Sequence, residues 1–290
     1  MKTVVLILLS MALLSSIADA RPWYLATNRN RPSNQYRAYQ RPITQPAPTL
    51  PPAQAAAKAD IDRMADVLNR AIGIQYDAAI TYPMGPTTAP VQHNISVSVV
   101  VERDARMLIQ TTNNGVEEGD LSATGTLLTL YDAPSSSYSQ VITSEDLWSL
   151  QQALELAGKD IYPKPTYTGK GMSDALAFPL IFLEKDYDDL AVGNGVTLAY
   201  SAVSSTSPDG KPVILATQTF SSAVHGSVAA TYMIDSATNL PVQMTQIETR
   251  PGKAAMFDLQ ETFTNFKLIH RNLPNTTFSY SPPLTAKQIR

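Results

Sequence analysis

The chain has 290 residues, 22 basic against 25 acidic side chains, a formal net charge of −3 and no cysteine. Without cysteine there is no disulfide, no thiol catalysis and no lipobox thiol for acylation. The acidic balance argues against a nucleic-acid partner, which selects a basic face.

Residues 1–20 read as a secretory signal, with Lys2 as its charge, Val4 to Leu14 as its apolar core and Ala18-Asp19-Ala20 as a small-residue cleavage site. The mature chain is expected to begin at Arg21. The apolar run falls short of the ~20 residues of a membrane span, so the expected location is periplasmic or secreted. An exported chain without disulfides relies on its hydrophobic core, which suits a bacterial envelope.

Residues 21–56 carry Arg21, Arg29, Arg31, Arg37 and Arg41, no acid, and seven prolines, among them Pro22, Pro46 and Pro52. Such a stretch has little to bury and is expected to form a disordered arm. It is a spacer, or else an electrostatic arm whose Trp23, Tyr24, Tyr36 and Tyr39 sit among arginines and touch an anionic envelope surface. Residues 57–290 form the expected folded domain, where 24 acidic side chains face 16 basic ones.

Ile61, Met64, Ala65, Leu68, Ala71 and Ile72 repeat at helical spacing, with Gly73 as the expected stop. From Gln92 the period becomes two, with Ile95, Val97, Val99 and Val101 in one phase, which marks a strand wet on one face. Further strands are expected at 106–112, 124–131 and 136–142, between turn clusters at Asn113-Asn114-Gly115 and Ala133-Pro134-Ser135. A second helix is expected from Thr143 through Leu147, Trp148, Leu150 and Leu154 to Gly158. A third, irregular at Pro179, is expected over 173–183 with Ile181 and Phe182 to bury. Helices placed between two strand sets are candidates for a lid. Five strands then follow over 196–203, 213–220, 227–234, 241–249 and 254–268, joined by connectors rich in Gly, Pro and Asn. In the last, the apolar phase slips after Phe263, which predicts a bulge near Thr264-Asn265.

The closing order, Leu240-Pro241-Val242, then Pro251-Gly252-Lys253, then Leu273-Pro274-Asn275-Thr276-Thr277-Phe278 and Ser281-Pro282-Pro283, resembles the last strands of LolA/LolB-like periplasmic proteins. It is most similar to a group of predicted periplasmic proteins of unknown function within that superfamily. Gly125 to Pro134 followed by Tyr138 is similar to a strand pair of the family. Where the family often has Arg-Pro, this chain reads Arg103-Asp104-Ala105-Arg106. The resemblance, over about Ala57 to Ile289, implies an α+β fold: a strongly curved antiparallel sheet, an incomplete β-barrel, with helices covering the open side of an apolar cavity. In carriers of that fold the cavity accepts lipid acyl chains.

No residue pattern for bond chemistry or a cofactor stands out. His93, His225 and His270 are isolated, no G-x-S-x-G elbow is present, and no glycine-rich loop opens a helix to cradle phosphate. The acidic clusters Glu117-Glu118-Gly119-Asp120 and 184–189 lack the calcium-loop pattern and read as solvated loops.

Apolar surface is therefore the functional material. Candidate cavity residues are Val97, Val99, Leu198, Tyr200, Val213, Leu215, Val228, Tyr232, Met244, Phe257 and Leu259 on strands, and Leu147, Trp148, Ile181 and Phe182 on covering helices. The leading expectation is a monomeric, non-catalytic carrier or sensor of a lipid or lipoprotein acyl chain. A solid core with no cavity is the alternative, in an envelope accessory module that docks protein partners and binds no small molecule.

Overall fold

The computed structural model describes residues 50–84, 91–103, 105–143, 197–222, 226–252 and 255–289. Helix α1 spans Pro52–Asn69 and opens with proline in its first turn, where the missing N–H goes unused. Its start lies inside the 21–56 span, and Leu50 just before it already packs on the core. Ala57, Ile61, Met64 and Leu68 form the buried stripe that the spacing predicts. Gly73 does not stop this helix. Arg70 ends it, and the Arg103 side chain donates to the Ala71 carbonyl (3.1 Å) and the Asn69 side chain (2.8 Å), tying the end of the helix to the turn after Glu102. Gly73 opens the next strand, where a Cβ would lie 2.1 Å from the Val101 carbonyl oxygen, so only glycine fits this strand pair.

Twelve strands form one sheet in the order β12-β6-β5-β4-β3-β2-β1-β11-β10-β9-β8-β7. They are β1 Gly73–Met84, β2 Val91–Glu102, β3 Arg106–Asn113, β4 Val116–Thr124, β5 Leu127–Asp132, β6 Ser137–Ile142, β7 Thr197–Thr206, β8 Pro212–Ser222, β9 Gly226–Asp235, β10 Pro241–Thr249, β11 Met256–Ile269 and β12 Lys287–Gln288. Two antiparallel meanders, β1–β6 and β7–β11, meet where β1 pairs β11, and β12 alone is parallel, to β6.

Besides the two-residue β12, two strands go beyond the sequence expectations. In β1, Ile74, Tyr76, Ala78, Ile80 and Tyr82 alternate inward, a period-two signal that assigning Gly73 as a helix stop passed over. The other is β4, which contains the acidic stretch read as a solvated loop. Asp120 there is buried.

If flat, twelve strands would spread over roughly 53 Å, yet one continuous buried cluster joins α1 to strands from β5 to β7. The sheet is open and curved. Pairing slips at four places, and the slip between β1 and β11 sets Lys267 opposite Gln75 but Thr264 opposite Asp77. This is the bulge expected at Thr264-Asn265, and Asn265 takes the left-handed φ of 54° there. Extra residues of this kind bend a strand. Helix α1 lies against β7 and β8. The helices expected over 143–158 and 173–183 lie outside the described residues.

After β11 the chain returns across the opposite face as a strap. Phe278, fully buried, packs with Val100 and Ile269. Beneath it Arg106 pairs with Glu102, donates to the Leu273 carbonyl (3.0 Å) and Asn275 (2.9 Å), and lies 5.1 Å from the Phe278 ring centre, while the Leu273 amide donates to Glu102 at 2.7 Å. The strap ends in β12.

Candidate functional site

Strand register decides which side chains share a face, because opposite residues in a ladder point the same way. One row runs Ala202, Ala216, Tyr232, Met244, Glu261 and Ile80 from β7 to β1. A second runs Tyr76, Val99, Ile109, Leu121 and Leu130 from β1 to β5. These rows form the inner face, which α1 also touches, and most of their side chains are buried.

Of the candidate cavity residues, Val97, Val99, Leu198, Tyr200, Val228, Tyr232, Met244 and Leu259 share this inner face. Val213 and Leu215 do not. They pair with Asp235 and Met233, one residue out of step with Ala216, and point to the outer face. The reason is local: β8 carries apolar residues in both phases, Val213 and Leu215 in one and Ile214, Ala216 and Phe220 in the other. Alternation alone could not choose between them. Leu147, Trp148, Ile181 and Phe182 lie outside the described residues, as does the Phe257 side chain.

Sequence reasoning missed the polar groups set into this apolar face. Gln218, Gln246 and Glu261 are almost completely buried there, with the Gln218 amide donating to the Tyr200 hydroxyl at 3.5 Å. Burial first, and then the charge and hydrogen bond of Glu261, hold the Tyr76 hydroxyl well above the usual phenol range. Their signal in the sequence was polar residues at inward-phase positions of β8, β10 and β11, legible only once the phase is known.

The outer face is different in kind. Across β11, β1, β2, β3 and β4 it presents Thr264, Asp77, Ser98, Gln110 and Asp120 in one row and Thr262, Ala79, Ser96, Thr112 and Glu117 in the next. These rows floor an open groove of about 630 Å³. At one end Asp120 is 1% exposed and neither of its carboxyl oxygens has a well-formed hydrogen bond. Burial, then the neighbouring Glu117, push its pKa up to about 7 against a smaller opposing pull from Gln110 and Tyr280. Tyr280, on the strap, donates to Glu117 at 3.3 Å, and its own pKa is raised by burial and by Asp120. Among the described residues no group of three or more His, Cys, Asp or Glu is placed to hold a metal ion.

No family model matches the chain, and no curated protein matches it. Among solved structures it is similar to an uncharacterized conserved protein from Thermus thermophilus, with 12% identity, a TM-score of 0.41, and coverage of 81% of this chain and 99% of that one. It is similar to the Mycobacterium tuberculosis lipoprotein LppX at 13% identity and a TM-score of 0.41, covering 76% and 98%. A LolA superfamily protein from Nitrosomonas europaea, at 12% identity and a TM-score of 0.30, covers 77% and 97%.

Proposed function

We propose that this protein is a non-catalytic carrier or sensor of a lipid or lipoprotein acyl chain, held against the inner face of its sheet after export to the bacterial envelope. The observation that carries this reading is an apolar inner face running from β5 to β7, opposite an outer face that is polar across β11, β1, β2, β3 and β4. Among the described residues, α1, about 27 Å long, makes its main contacts with β7 and β8. Sparse polar groups such as Gln218, Gln246 and Glu261 suit a pocket that orients an otherwise greasy ligand. Burying about ten methylenes at ~0.8 kcal/mol each leaves micromolar capture after association entropy is subtracted.

A second reading, a module that docks a protein partner, is favoured by one feature. Ser201 to Thr206 of β7, at the end of the described sheet, are exposed and carry neither charge nor proline, the usual guards of a strand edge.

Native mass spectrometry of protein produced in a bacterial periplasm separates the two. Co-purified lipid is expected, and Leu198→Arg on the inner face should remove it while Leu215→Arg on the outer face should not, both variants keeping sheet-rich circular dichroism. Lipid-free protein that takes up no fluorescent fatty acid would transfer the case to edge docking.

A further inference from the structure

The polar stretch of the outer face is not the surface proposed for the acyl chain, yet it is shaped. Its groove is lined by three carboxylates, Asp77, Glu117 and Asp120, and by no Lys, Arg or His. Carboxylates gathered on a surface are ordinarily solvated, but Asp120 is 1% exposed, borders the groove and, with Gln110 and Tyr280 beside it, has no well-formed hydrogen bond on either oxygen. Burying such a group without donors is costly, and the groove is the side from which a ligand can supply them. Asp77 stands three strands away, roughly 14 Å at the spacing of a sheet. One of its oxygens accepts from Asn265 at 2.7 Å and the other is left for a ligand. Between the two ends, Ser98 and Gln110 continue the same row and offer acceptors along the floor.

We propose that this groove binds a linear polyamine, with one terminal ammonium at Asp120 and Glu117 and the other at Asp77. An anion would meet three carboxylates and no cation. A neutral sugar would leave those charges uncompensated. A bare metal ion lacks ligands, since no three His, Cys, Asp or Glu among the described residues converge. A chain of amines with its charge spread along its length matches two acidic ends joined by hydroxyls and an amide, and charge-assisted hydrogen bonds to ammonium are the stronger kind.

The test is titration calorimetry of the full mature chain with spermine at low salt and pH 7.5. Spermine, extended, reaches both ends of the groove, whereas 1,4-diaminobutane does not, so the diamine should bind at least about tenfold more weakly. Asp120→Asn and Asp77→Asn should each weaken spermine by about tenfold or more, and Asp209→Asn, on the far β7–β8 turn, should not. Binding should weaken from pH 7.5 to 6, because a protonated Asp120 must lose its proton to meet the ammonium. Glu117 and Tyr280 face Asp120, and Tyr131 is its cross-strand neighbour, so the profile is repeated in Glu117→Gln. If Asp120→Asn loses its cooperative thermal transition, Asp77→Asn and Glu117→Gln decide. Equal spermine affinity in wild type and groove variants, or equal loss in Asp209→Asn, would mean diffuse attraction to an acidic surface and would overturn the proposal.

Discussion

Asp120 shows how one buried side chain makes stability depend on pH. Its folded pKa is raised from 3.8 to about 7, so between those values the folded protein holds a proton that the unfolded chain has released. Stability then falls as pH rises through that window, with no contribution below about 4 and the full penalty above about 7. Asp120→Asn should flatten this slope: thermal melting from pH 4.5 to 8 should show wild type losing ground to the variant as pH rises. Parallel curves would show that the carboxyl is ionised throughout. Neither this role nor that of Glu261 was legible in the sequence, because a carboxylate on a strand reads as solvated until register shows what lies over it. Val213 and Leu215 illustrate the same limit for apolar residues, since periodicity reports that a strand has two faces and cannot label them when both carry aliphatic side chains.

At the scale of elements, the strap is the part whose sequence and structure connect most directly. The stretch Leu273 to Phe278 carried the family resemblance, and in three dimensions it closes the outer face over a buried Arg106–Glu102 pair. Breaking such a pair leaves an uncompensated charge, and Leu273 and Asn275 of the strap supply hydrogen bonds to both partners. Phe278→Ala should destabilise by about 3–5 kcal/mol, the usual cost of emptying a buried aromatic site. Urea unfolding checks it, and a change below about 1 kcal/mol would mean that the strap is an accessory. The Asn265 bulge was legible for a physical reason, since a phase slip in an apolar pattern requires an extra residue. β4 was not, because Glu117 and Glu118 mask a strand whose second half is buried.

For the whole molecule, the order of elements predicted two sets of antiparallel strands, and the curved sheet they share was what the family resemblance implied. Neither could say which strands join the halves; that junction is β1 with β11, and β1 was the strand passed over. The result is one sheet with two chemistries, an apolar inner face and an acidic, hydroxyl-rich outer groove. The inner face, and not the groove, is the surface proposed to meet the apolar ligand. The most direct measurement is photo-cross-linking of the mature protein with a diazirine fatty acid, followed by residue-level peptide sequencing. Adducts should fall at alternate positions, on Val97, Tyr232 and Met244 and not on Ser96, Thr231 or Thr245. Adducts on the outward residues, or none above a control without light, would contradict it.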